Sequence, residues 1–167
     1  MIIYVDGSDL LEHFAEREDR LVVEGDRDTS RDNLTRWLGR YCEVRDCQAV
    51  LVFGTEQPGD VRSPTERFAR VKVINVPYGG DVRTEIGGPA NQTAKQERTL
   101  VVTADSRLAD AVQRGRARVL TPAAFVARAR KLMRPSDEVV ADEPDEKFTG
   151  VTDEEVDFWL GLFGNED

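Results

Sequence analysis

The chain has 167 residues, 40% of them apolar and 33% charged, with 32 acidic against 23 basic side chains. That suits one domain with a sizeable core and room for an appendage; it is too apolar for wholesale disorder and lacks the roughly 20 apolar residues in a row that a membrane span needs. With only Cys42, Cys47 and His13 available, a disulfide framework and a four-ligand zinc site cannot be built, histidine-driven catalysis is disfavoured, and a reducing, cytoplasmic setting is expected.

In chain order, Ile2-Ile3-Tyr4-Val5 is a β-rich run closed by Asp6-Gly7, without the basic start and long apolar stretch of a signal peptide. Ser8 or Asp9 is placed to cap a helix over 10–14. Residues 24–33 are polar and read as a loop, after which Leu34, Leu38, Tyr41 and Cys42, with Trp37 beside them, follow helical spacing. A second buried strand is expected over 49–53, ended by Gly54; Gln57-Pro58-Gly59-Asp60 is a turn and 61–68 a short helix. A third strand over 71–76 stops at Pro77. Gly79-Gly80 and Gly87-Gly88-Pro89 bracket a short helix over 81–86, with a broken helical piece to follow. The fourth strand, 99–103, ends at Ala104-Asp105; a helix over 106–113 stops at Gly115; 117–120 is the fifth strand, and Thr121-Pro122 opens a helix to Met133.

Strands alternating with helices imply an α/β fold, a doubly wound, Rossmann-like and mainly parallel five-stranded sheet, for which the strand order 3-2-1-4-5 is expected. Residues 1–134 form this domain, 135–150 an acidic linker and 151–164 a C-terminal amphipathic helix. That helix has Thr152 and Glu155 as its capping box and Phe158, Trp159 and Phe163 among its apolar residues. It would dock on the domain or on a protein partner. Residues 135–167 hold twelve acids and one base, Lys147, which leaves the first 134 residues close to neutral. Residues 114–134 contain Arg114, Arg116, Arg118, Arg128, Arg130, Lys131 and Arg134 and no acid. They read either as a phosphate-backbone footprint or as a solvated face whose arginine stems cover the core edge.

Two strands end in an aspartate, Asp6 and Asp105. In the expected order they belong to neighbouring strands, about 4.8 Å apart, at the point where the strand order reverses and ligands bind. Two carboxylates that close repel unless a cation or proton lies between them, and oxygen ligands without His or Cys suit Mg or Mn. The alternative is that each only caps the helix after it. Asp6-x-x-Asp9 has the wrong spacing for the Asp-x-Asp phosphatase loop, no glycine-rich phosphate loop follows any strand, and His13 reads as a packing residue.

The run Ile2-Ile3-Tyr4-Val5-Asp6-Gly7-Ser8-Asp9-Leu10-Leu11 resembles the opening of the YacP-like NYN branch of the PIN-like ribonuclease superfamily, which begins with an apolar strand, Asp-Gly-Tyr-Asn and two apolar residues. Val50-Leu51-Val52-Phe53 resembles its second strand and Leu100-Val101-Val102-Thr103-Ala104-Asp105-Ser106 its Val-Val-Thr-Ser-Asp segment; Tyr78 to Ile86 occupies the place of a middle acidic motif. The resemblance implies a PIN-like fold and a metal-dependent endoribonuclease acting on single-stranded RNA, free or presented by a ribosome, with no DNA or membrane partner. It implies Asp6, Asp81 and Asp105 as catalytic, metal-binding acids with Mg or Mn. Asp9 or Glu85 would complete the shell or orient water, and Asp110 is a further carboxylate. Arg107, Arg114 and Arg116 would steer RNA phosphates. The sequence departs from the pattern at Asp9, where the family has asparagine, and at Gly87-Gly88-Pro89, which interrupts a helix that is usually continuous. An inactive RNA- or ribosome-associated binding module of the same fold is the alternative reading. The acidic tail is expected to fold back over the basic stretch and compete with RNA.

Overall fold

Valine- and isoleucine-rich runs, separated by helices with an apolar stripe, build a six-stranded sheet covered on both faces. The computed structural model describes residues 1–60 and 62–134; the expected acidic linker over 135–150 and helix over 151–164 lie outside the described residues. The elements are β1 (Ile2–Asp6), α1 (Gly7–Glu16), α2 (Arg27–Arg45), β2 (Gln48–Gly54), β3 (Thr65–Phe68), β4 (Val71–Val76), α3 (Val82–Thr93), β5 (Thr99–Val102), α4 (Ser106–Gln113), β6 (Arg118–Leu120) and α5 (Pro122–Met133). The sheet order is β3-β4-β2-β1-β5-β6. Its five parallel strands stand in the order expected from the sequence, with Val5 opposite Leu51 on one side and Val102 on the other. Among the described residues no helix is long and apolar enough to cross a membrane.

Alternation along the strands sends side chains into two cores. Ile3, Val5, Leu51, Phe53 and Val73 pack under α1, α2 and α5, where Phe14, Trp37, Phe125 and Tyr41 meet edge to face with centroids 5.1–6.1 Å apart. Each such aromatic pair adds about 0.5–1.5 kcal/mol beyond its buried area. Tyr4, Val52 and Val101 pack on the other face against Ile86, Leu108 and Val112 of α3 and α4. Cys42 and Cys47 are buried free thiols.

Four local expectations are corrected. Residues 65–68 form an edge strand rather than part of a helix: β3 pairs antiparallel with β4, Thr65 opposite Ile74 and Phe68 opposite Val71. The open backbone edge of β4 offers hydrogen bonds that outweigh the weak helical tendency of so short a stretch. The α2 helix starts at Arg27, within the expected loop, because Asp26 caps it by accepting from the Thr29 N–H at 2.7 Å. The cap of α1 is Asp6, and neither Ser8 nor Asp9. Finally, α3 runs unbroken through Gly87-Gly88-Pro89. A Cβ on Gly87 would lie 3.3 Å from the Leu108 Cδ1, so this glycine lets α3 lie close against α4 while Ile86 and Ala90 bury their side chains. Pro89 has no N–H for the Glu85 carbonyl, but both residues are exposed and water can serve that oxygen.

Candidate active site

Four helices start from an aspartate cap, and besides Asp26 at α2 those caps are Asp6, Asp81 and Asp105. The Asp6 Oδ1 accepts from the N–H groups of Ser8 (3.1 Å) and Asp9 (3.2 Å). The Asp105 Oδ1 accepts from those of Arg107 (2.8 Å) and Leu108 (3.1 Å). Capping therefore occupies one oxygen of each carboxylate and leaves the other. Among the described residues the second oxygen of Asp6 accepts no hydrogen bond, and that of Asp105 faces only the Arg83 Nε, at 3.8 Å.

Since β1 and β5 are hydrogen-bonded neighbours, these two acids stand at adjacent strand ends. Asp6 is only 8% exposed. Burial, then the negative charge of Asp9, and more weakly that of Asp105, push its pKa up to about 6 against the lowering effect of the two capping N–H groups. A cation bound there would relieve that strain.

Asp9 does something the sequence did not indicate. Its Oδ2 accepts from the Thr103 hydroxyl at 2.9 Å and the Ala104 N–H at 2.7 Å, and the same hydroxyl oxygen accepts from the Asp105 N–H at 3.0 Å. The chain Asp9–Thr103–Asp105 ties the turn after β1 to the turn after β5, so both acid-bearing turns move together. The one signal for it in the sequence is a hydroxyl residue set between a buried strand and a capping aspartate.

Asp81 is more exposed. Its Oδ1 accepts from the Arg83 N–H at 2.9 Å and pairs with the Arg83 Nε at 3.2 Å, and these bonds hold its carboxyl below the usual carboxylate range. Arg83 thus lies between Asp81 and Asp105, and it is this guanidinium that connects the third acid to the pair. Glu85 is exposed, one helical turn beyond Asp81, and Asp110 is exposed on α4. Arg107 sits beside Asp105 at the start of α4, whereas Arg114 and Arg116 lie past its other end, about 12 Å away at 1.5 Å per residue. The basic stretch over 114–134 does not form one face: it is divided among the end of α4, β6 and α5, and Arg130 pairs with Asp19. His13 lies edge-on to Phe14, with burial lowering its pKa.

Among the described residues no three His, Cys, Asp or Glu side chains converge on one point as a ready-made metal cage. Two hard oxygen donors without nitrogen or sulfur nevertheless suit Mg or Mn, which keep several waters and bind through one or two carboxylates plus phosphate oxygens.

The family model for the YacP-like NYN domain matches residues 3–155. No curated protein matches the chain. Crystal structures that share its fold include two of one protein. Rae1 (YacP) from Bacillus subtilis is 17% identical with a TM-score of 0.61, over 79% of this chain and 75% of that one. A tryptophan-to-leucine variant of the same protein is 16% identical with a TM-score of 0.61, over 79% of this chain and 76% of that one.

Proposed function

The chain belongs to the YacP-like NYN domain family, with its PIN-like ribonuclease fold, and on that premise we propose that it is a divalent-metal-dependent endoribonuclease cutting single-stranded RNA in the cytoplasm. The observation that supports this most is the pairing of Asp6 with Asp105 at adjacent strand ends, one oxygen of each carboxylate used as a cap and the other left over. Bound there, Mg or Mn would polarise the scissile phosphate and lower the pKa of an attacking water.

The protein's own part is positioning. Asp6 and Asp105 would hold the ion by their second oxygens, with Asp81 as the third acid and Glu85 available to orient water. The Asp9–Thr103 link fixes the spacing of the two turns. Arg107, at the start of α4, would draw the RNA backbone toward Asp105, and Arg83 could leave that carboxylate for a phosphate oxygen. The strand would arrive free or presented by a ribosome.

The test is cleavage of single-stranded RNA with Mn²⁺. The wild type should cut, and Asp6→Asn and Asp105→Asn should each be slower by roughly two orders of magnitude or more. Undiminished cutting by either variant would overturn the assignment. A second reading, an RNA-binding module without chemistry, draws on Arg83, which lies between Asp81 and Asp105 where a cation would otherwise serve them. It requires calorimetry to find no Mn²⁺ binding at millimolar concentration.

A further inference from the structure

On the α2 side of the sheet, between that helix, β3 and β4, lies a cavity of about 250 Å³. Arg31 forms part of its wall. The residue is 8% exposed, its Cζ lies 4.0 Å from the centroid of the Phe53 ring, and its Nη2 donates to the Asn75 side-chain oxygen. Among the described residues no carboxylate pairs with it, and its remaining N–H groups are neither bonded nor sealed from the cavity. Burial and the charge of nearby Arg62 lower its pKa, and the charges of Asp28 and Asp60 offset them only in part.

Buried charges ordinarily have a partner of opposite sign. The other arginines on the wall divide in that respect. Arg62 is held by Asp28 and Asp60. Arg67, also on the wall, has no ion pair among the described residues. Two carboxylates, Asp32 and Glu66, line the cavity as well, and Glu66 accepts from the Asn75 Nδ2 at 3.4 Å. Arg62 apart, which its own carboxylates hold, Arg31, Arg36 and Arg67 stand against Asp32 and Glu66, an excess of one positive charge on the wall.

Its place in the fold matters too. A Cβ on Gly7 would fall 2.4 Å from the Phe53 ring, so the residue after Asp6 rests on the same ring that carries Arg31. Asn75 stands opposite Phe53 near the carboxyl end of β4, the edge of the sheet at which the aspartates lie.

We propose that the cavity is a phosphoryl subsite, in which Arg31, with Arg67 beside it, takes a nucleotide phosphate. A planar guanidinium with free N–H groups is matched to phosphate oxygens, and a phosphate would supply the charge that Arg31 lacks. The phosphate belongs either to the RNA strand or to a free mononucleotide. For the strand the proposal rests on the nuclease reading, but capture itself needs no cutting.

The experiment uses the full chain in EDTA, so that nothing is cut. Anisotropy of a short labelled single-stranded RNA is measured against wild type, Arg31→Met, which keeps the stem without the charge, and Arg67→Gln at an exposed position. Thermal melts are run with AMP and with inorganic phosphate. RNA affinity should fall about tenfold in Arg31→Met and severalfold in Arg67→Gln, with the salt dependence shallower by about one phosphate contact. If AMP raises the wild-type Tm and displaces RNA, free nucleotides are occupants too; if only RNA binding depends on the arginines, the strand is the source. RNA and AMP binding unchanged in both variants would overturn the subsite, and Arg67→Gln decides alone should Arg31→Met not fold. A wild type that cuts no RNA yet binds it through Arg31 would sink the nuclease reading and keep the subsite; cutting together with Arg31-independent binding would do the reverse.

Discussion

Asp6 answers two demands that conflict. As the cap of α1 it accepts hydrogen bonds, and in the proposed role of metal-binding acid it would have to stay ionised although buried beside Asp9. The consequence is a pH dependence whose sign is fixed. Its folded-state pKa, about 6, lies above the ordinary 3.8, so the folded protein holds this proton more tightly than the unfolded chain. The stabilisation is complete below about pH 4 and is lost as the pH rises through 6, a change of about 3 kcal/mol. Urea melts in EDTA should show the stability of wild type falling by that amount relative to Asp6→Asn, which still caps, between pH 4 and 6.5. Identical slopes would mean that Asp6 is not strained. Asp6 and Asp105 were legible in the sequence because each ends a buried strand and precedes a helix. The link from Asp9 to Thr103 was not, since it joins residues 94 positions apart. Nor was Arg31, which sits buried in a polar stretch that reads as loop.

Among the elements, α3 and β3 teach the same lesson from opposite sides. Local rules break α3 at Gly87-Gly88-Pro89, and packing keeps it whole: Gly87 lies against Leu108, and Ile86 and Ala90 are buried. Local rules also give 61–68 a helix, and the unpaired edge of β4 turns its second half into a strand. In both places the deciding partner is remote in sequence, which periodicity cannot see. The two exposed breakers in α3 should still have a cost. Gly88 has nothing within 4 Å of an added Cβ and no positive φ. Gly88→Ala should therefore stabilise the domain by about 0.5–1 kcal/mol, read as a rise in Tm. A fall would mean that α3 needs its flexibility there. The five parallel strands, by contrast, were legible to within a residue or so at each end, because buried parallel strands are written as runs rich in valine, isoleucine and leucine.

For the whole molecule, the order of the parallel strands followed from the alternation of strands and helices, and with it the meeting of β1 and β5 that puts Asp6 beside the Asp105 turn. Charge is the other property at this scale. Residues 135–167 carry twelve of the 32 acids, next in sequence to a stretch holding seven bases and no acid. Deleting residues 135–167 should raise affinity for single-stranded RNA at low salt, with the gain fading toward 1 M, where the Debye length falls to about 3 Å. Unchanged affinity at low salt would leave the tail without a part in RNA access. The proposed catalysis, however, depends on a divalent ion joining acids that lie far apart in the sequence. The direct measurement is a crystal soaked in Mn²⁺ and read by anomalous scattering. A peak bridging the Asp6 and Asp105 carboxylates is the predicted result; no peak at millimolar Mn²⁺, or one bound only elsewhere, would contradict it.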